Sequence, residues 1–434
     1  MITISETEDK SNVSSLANVI DFQTINRIEE ENGSSFYIFD ENKLRENYRK
    51  IETAFKSRYE NFIIGYSYKT NYLPYMCKEL AKLGAYAEVV SRLEYELALK
   101  LGQDPKKIIF NGPSKDKEDI YLALNNESMM NVDSLNELQV VKEYCASNKN
   151  KQVKIGLRLN FDLSENGVSP LIDGVEISRF GISVENGELD QGLAEINNVE
   201  NLKIIGLHGH FTTSKRKVET FKRITKVLCT IAKEKGLKHL EYIDIGGGIF
   251  GEVPKTLIDH APTFDDYAEE VCKVMNDEFR SATNKPTLII EPGIAMVANT
   301  FIFIAKVKGI KKVANDTLIL VDGSVHNVKP TMHKKNLPMR IVKKNKDLHN
   351  VKANFHIVGY TCLEKDYLAN DFNEIMPEKD DYIIFENVGA YTIVFNPPFI
   401  KERPAIIAID GNEMTVARKK ETIKQFFNEE IYHF

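Results

Sequence analysis

From residue 62 onward, short apolar runs alternate with longer amphipathic segments. Residues 62–68 (FIIGYSY), 86–90, 107–110, 129–132, 153–159, 204–210, 240–245 and 287–291 are brief, apolar and bounded by polar or turn residues, so they predict buried strands. Residues 72–83, 93–101, 115–124, 134–148, 217–234 and 264–280 lie among them and predict helices. Gly102 ends one of these, and Ser134 with Glu137 three residues later supplies a capping pattern for another. About eight β/α units in roughly 260 residues predict an α/β fold built on a closed parallel (β/α)8 barrel. Beyond Asn299 the rhythm changes: 300–307, 317–321, 355–358, 382–385 and 405–409 read as strands without long helices between them, a mostly antiparallel β-domain. Residues 35–39 are expected to open the barrel. The expected division is thus a barrel over 36–299 and a β-rich domain made of 1–35 with 300–434.

Composition narrows what such a chain can do. At 434 residues it exceeds one ordinary hydrophobic core. A net charge of −6 leaves no basic surplus for a phosphate backbone, which argues against nucleic acid as a partner. Five cysteines, odd in number and never spaced as CxxC, suggest neither a disulfide framework nor a zinc site and suit a reducing, cytoplasmic setting. The polar, acidic residues 1–15 lack the pattern of a signal peptide. The apolar stretch 288–307 is interrupted by Glu291, Pro292 and Gly293, so no membrane span is expected.

In a parallel barrel the functional groups gather at the C-terminal ends of the strands. Here those ends read Tyr68-Lys69-Thr70-Asn71, Asn111-Gly112, Asp133-Ser134, Arg158-Leu159-Asn160, His208-Gly209-His210, Asp244 followed by Gly246-Gly247-Gly248, and Glu291-Pro292-Gly293. Lys69 follows an apolar strand, a setting that desolvates an amine and readies it for an imine; alone, it reads equally as a lysine reaching out to solvent. Three consecutive glycines offer backbone N–H groups to a phosphate, or simply a flexible turn. Glu291 is either a surface acid or a buried carboxylate that needs a cation, such as a protonated pyridine nitrogen. His208 and His210 share a face by the period-two rule. With no third ligand evident nearby, no metal is expected there, whereas a flat imidazole can lie against an aromatic cofactor. Together, lysine, phosphate cradle and carboxylate match the needs of pyridoxal 5′-phosphate.

At these positions the sequence resembles the alanine-racemase-fold family of pyridoxal-phosphate-dependent amino acid decarboxylases, which includes diaminopimelate, ornithine and carboxynorspermidine decarboxylases. The resemblance runs from about residue 36 to 399 and adds Phe110-Asn111-Gly112-Pro113, Ser178-Arg179-Phe180-Gly181, Gly359-Tyr360-Thr361-Cys362 and Gly389-Ala390-Tyr391 to the runs above. It implies that Lys69 forms the imine with the cofactor, that His210 stacks on the ring and that Glu291 pairs with the ring nitrogen. Glu88 and Arg158 would stand close by, and Gly247, Gly248, Thr213 and Tyr391 would hold the phosphate. Cys362 would return a proton to the substrate carbon after CO2 leaves. It would come from the second subunit of a homodimer with shared sites.

The chain departs from the family at instructive places. Ile294 stands where relatives carry arginine after Glu-Pro-Gly. Leu363 stands where relatives that act on diaminopimelate or ornithine place an acid; Glu364 and Asp366 are the next acids, and Asp366 is retained as a substrate contact. The run leading to Arg340 lies where the resemblance places contacts to the far end of the substrate, so Lys329 and His333 are expected as further contacts favouring a distal carboxylate or phosphate, while Lys334 and Lys335 read as exposed. The expectation is decarboxylation of a small amino acid or derivative, with a non-standard substrate. A racemase or epimerase of the same fold is one rival, and a catalytically silent homologue that binds a partner protein is another.

Overall fold

The computed structural model describes residues 20–345 and 351–434; the N-terminal residues read above as lacking a signal pattern lie outside the described residues. The chain forms two compact units. Of the described residues, one comprises Asn47–Glu252 with Ala261–Met296, and the other 20–46, Val253–His260, 297–345 and 351–434.

The first unit is a closed barrel of eight parallel strands. Around it run Phe62–Ser67, Tyr86–Val89, Ile108–Phe110, Met129–Val132, Val153–Asn160, Leu202–His208, Tyr242–Asp244 and Thr287–Ile290, with Ile290 beside Ile64 completing the ring. The connecting helices start where side chains can cap them. Ser134 accepts the Glu137 N–H at 3.3 Å, and Glu137 reaches back to accept the Asp133 N–H at 2.8 Å, satisfying two amides that a helix leaves unpaired. Pro74 opens Pro74–Leu83, where its missing N–H costs nothing, and Gly84 closes it at φ +103°. Inside the ring the chemistry is graded: Ile109, Tyr242 and Ile289 form an apolar cluster, whereas the strand ends carry the buried polar groups Ser67, Glu88, Asn111, Arg158, His208, Asp244 and Glu291. Among the described residues no helix is long and apolar enough to cross a membrane.

The second unit is built on a nine-stranded mixed sheet, mostly antiparallel. The strand Ser35–Asp40 corrects the expectation that 35–39 open the barrel. It lies in this sheet, antiparallel to Phe301–Val313 and parallel to Ala405–Asp410. Phe36 through Phe39 are all fully buried, so the run lacks polar alternation and looks in sequence like a barrel strand. In this unit three of the described strands escaped the sequence reading: Met339–Val342, Tyr367–Ile375 and Glu413–Arg418. The last two are part-exposed and rich in charged or amide residues (YLANDFNEI, EMTVAR), which masks strand character. The core of this unit gathers Ile38, Ile302, Ile304, Ile384 and Ile407 under the helix Phe22–Asn32, which Asp21 caps by accepting the Thr24 N–H at 2.8 Å. Truncating Ile38 to Ala should cost about 2–5 kcal/mol by cavity formation. Urea unfolding checks this, and a change below about 1 kcal/mol would contradict the central placement of this strand.

Candidate active site

The first barrel strand runs into one turn of 3-10 helix, Tyr68–Thr70, that turns Lys69 out of the buried row. Its ammonium meets Glu88 Oε2 at 2.6 Å and Ser67 Oγ at 3.3 Å, and Ser67 in turn donates to the same carboxylate oxygen at 2.5 Å. Lys69 is 32% exposed and Glu88 1%. The amine is therefore ion-paired, not simply desolvated as the apolar strand suggested.

Glu291 follows the last strand and is 2% exposed. Its Oε1 accepts from the Asn111 amide at 2.5 Å, and the same amide nitrogen reaches Glu88 Oε1 at 3.1 Å. Its Oε2 lies 3.5 Å from His208 Nε2. Complete burial and the adjoining Glu291 charge hold Asp244 protonated, well above the usual carboxyl range. Burial would push Glu291 up as well, but the adjoining His208 and the Lys69 charge outweigh it and keep this carboxylate anionic. His208, Asp244 and Glu291 can bring ligand atoms within 4.8 Å of one another, so the third neighbour that the sequence did not reveal does exist.

His210 lies just past the end of its strand, its ring parallel within 6° to that of His208 at 6.5 Å. Its Nδ1 accepts the Gly247 N–H at 3.0 Å. Burial, together with the Arg158 and Lys69 charges, pushes the imidazole down to about 3, so it is neutral with its proton on the other nitrogen. The Gly247 amide, expected to serve a phosphate, is thus already engaged in orienting this ring, and the Gly246 amide serves Asp244 at 2.9 Å. Gly248 keeps an amide with no hydrogen-bond partner among the described residues. Any Cβ at 247 would stand 2.0 Å from the Glu291 carbonyl oxygen, which is why only glycine fits there.

Arg158 is buried, pairs with Asp133 at 3.4 Å, donates to the His210 carbonyl at 3.2 Å and lies 4.6 Å over the Phe180 ring. The barrel therefore gathers Lys69, Glu88, Arg158, His210, Gly247 and Glu291 into one network. Thr213 is buried in the loop after His210 and bridges to Leu171. Cys362, Tyr391, Lys329, His333 and Asp366 belong to the second unit. Within it Cys362 is exposed, Tyr391 is stacked on Phe395 at 5.8 Å, Lys329 is buried and His333 is exposed. Asp366, expected as a substrate contact, has a buried carboxylate that accepts from the Val325 N–H at 2.7 Å, the Thr361 N–H at 2.9 Å and the Thr361 hydroxyl at 2.5 Å, so it braces the loop bearing Cys362.

The chain matches the family model for the pyridoxal-binding domain of pyridoxal-dependent decarboxylases over residues 41–298. A probable chloroplastic diaminopimelate decarboxylase of Oryza sativa is 30% identical over 390 residues, 87% of this chain and 76% of that one. The diaminopimelate decarboxylase of Methanocaldococcus jannaschii is 27% identical over 93% of this chain and 92% of its own. The crystal structure of the M. jannaschii diaminopimelate decarboxylase superposes with a TM-score of 0.83 at 26% identity, covering 94% of each chain. The chain belongs to the pyridoxal-dependent decarboxylases. Its cofactor is pyridoxal phosphate, and its reaction is the decarboxylation of an amino acid.

The residues present fit that cofactor. An accessible lysine amine, a glycine turn that admits no Cβ and an anionic buried carboxylate suit an aldehyde, a phosphate and a ring nitrogen. The Nε of Arg158 and the Oγ1 of Thr70 are left without hydrogen-bond partners. For this decarboxylase the sequence reading missed Asp244, Asn131 and Asn111 as parts of the site, although two of them stand at strand ends where polar groups are expected. The neutral His210 generates a test. Between about pH 6.5 and 3 the unfolded chain binds a proton that the folded barrel refuses, so stability falls as pH drops through that window. Going from pH 7 to 5, His210 should contribute a loss of about 2 kcal/mol. Urea unfolding of His210→Gln should lack that contribution; an acid loss equal to the wild type's would contradict a neutral His210.

Proposed function

We propose that the enzyme decarboxylates an amino acid derivative carrying a distal anionic group, and that it works as a homodimer in the cytoplasm. The observation that carries the catalytic reading is the pairing of two buried carboxylates on the Asn111 amide, Glu88 engaged by the Lys69 amine and Glu291 kept anionic. Bound here, pyridoxal phosphate supplies an electron sink for the pair left on Cα when CO2 departs. Lys69 would hold the aldehyde carbon. Glu291, anionic and shielded from water, would keep a proton on the ring nitrogen, and an uncharged His210 would cover the ring without adding charge. Gly248, with Thr213 and Tyr391, would bind the phosphate. Cys362 of the second subunit would deliver the proton to Cα: it is the exposed one of the five free cysteines, whereas the other four are buried. All five are unpaired, which suits a reducing compartment.

The substrate reading rests on Lys329. Its residue is 3% exposed, it has no anionic partner among the described residues, and burial lowers its pKa. A buried ammonium needs a counter-charge, and a distal carboxylate or phosphate on the substrate would supply it. Asp366 is occupied within its own loop and Leu363 is apolar, so at the position after Cys362 there is no acid for a distal ammonium.

Release of CO2 from amino acids bearing a distal carboxylate, phosphate or ammonium tests this reading. Acidic substrates should win, and Lys329→Gln should raise their KM at least about tenfold. Lys69→Ala should abolish turnover, while Cys362→Ala should keep the bound cofactor and lower product formation on the order of 10²-fold. Preference for a distal ammonium, or an unaltered Cys362→Ala, would contradict the respective assignments.

A further inference from the structure

We propose that Tyr242 and Asn131, deep in the barrel, are positioning residues that fix the active-site carboxylates by acting through Asn111. The proposal rests on the assignment of Glu88 to the lysine amine and Glu291 to the ring nitrogen.

The Tyr242 hydroxyl donates to Asn131 Oδ1 at 2.8 Å, and Asn131 Nδ2 donates to Asn111 Oδ1 at 2.8 Å. Asn111 Nδ2 then divides its two protons between Glu88 Oε1 at 3.1 Å and Glu291 Oε1 at 2.5 Å. Tyr242, Asn131, Asn111, Glu88 and Glu291 are each no more than 2% exposed, so water does not replace any of these bonds.

Each link sets the direction of the next. An asparagine amide has nearly the same shape when flipped end for end, and a flipped Asn111 would turn its carbonyl toward two carboxylates. The Asn131 donor on Asn111 Oδ1 opposes that flip. Asn131 is held in turn because its own reversal would set its carbonyl against that of Asn111 and strand the Tyr242 proton. The phenol stays a donor, since burial raises its pKa well above the ordinary value.

The barrel makes room for this phenol at the expense of two side chains. A Cβ at Gly206 would lie 2.0 Å from Tyr242 Cζ, and one at Gly156 would lie 2.0 Å from the Tyr242 hydroxyl and 2.0 Å from Asn131 Oδ1. Filling the cluster around Ile109 and Ile289 would need only an apolar residue, so the hydroxyl is the part that packing does not explain.

Tyr242→Phe keeps the ring and deletes the hydroxyl. Compared with wild type, it should bind pyridoxal phosphate about fivefold or more weakly in titration of the apoenzyme and lose about tenfold in kcat with little change in KM. Asn131→Leu, close in volume, should reproduce both losses. Combining Tyr242→Phe with Asn111→Ala should give no loss beyond that of Asn111→Ala alone, because the upstream hydroxyl acts only through that amide. A Tyr242→Phe enzyme equal to wild type in cofactor affinity and kcat, or losses that multiply in the double variant, would overturn the relay. A wild-type chain that never takes up pyridoxal phosphate would instead overturn the assignment beneath it.

Discussion

A charge buried at the end of an apolar barrel must find a partner or lose its charge, and that requirement organises this protein. Lys69 is paired with Glu88, Arg158 with Asp133 and Lys115 with Glu137, the last at 2.9 Å with both side chains buried. Asp244 meets the requirement the other way, by staying protonated beside Glu291. Removing one member of such a pair commonly costs about 3–5 kcal/mol, since its partner is left charged and dry. The arrangement is therefore strongly interdependent: each group that serves the cofactor is also part of what makes the polar end of the barrel stable.

That interdependence explains which features could be read from the sequence. Barrel strands and the positions of Lys69 and Glu291 follow from local rules, apolar runs and the placement of chemistry at strand ends, and the structure reproduces them. The strand Ser35–Asp40 does not, because four buried residues in a row look the same in a barrel as in the centre of another sheet. For Asp366, proximity to Cys362 is visible in sequence, whereas its three hydrogen bonds to Val325 and Thr361 are not. Gly247 was legible as part of a glycine run that could offer N–H groups to a phosphate, but its amide serves His210, a partner 37 residues away. Asn111 was legible only as a polar strand end and Asn131 not at all; their part in the network arises only when strands distant in sequence close into a ring.

The departures from the family acquire physical content in the same way. Ile294 removes a cation from the sequence motif after Glu-Pro-Gly, and Leu363 removes an acid after Cys362. The buried Lys329 has no anionic partner among the described residues, and burial lowers its pKa. Family membership fixes the cofactor and the bond broken, while the proposed preference for a distal anion rests on these few side chains.

The account stands on one amine, that of Lys69, carrying the cofactor. Borohydride reduction of the holoenzyme followed by peptide mapping tests it most directly. The account predicts a pyridoxyl label on Lys69 and on no other of the lysines; a label on a different lysine, or none, would contradict it.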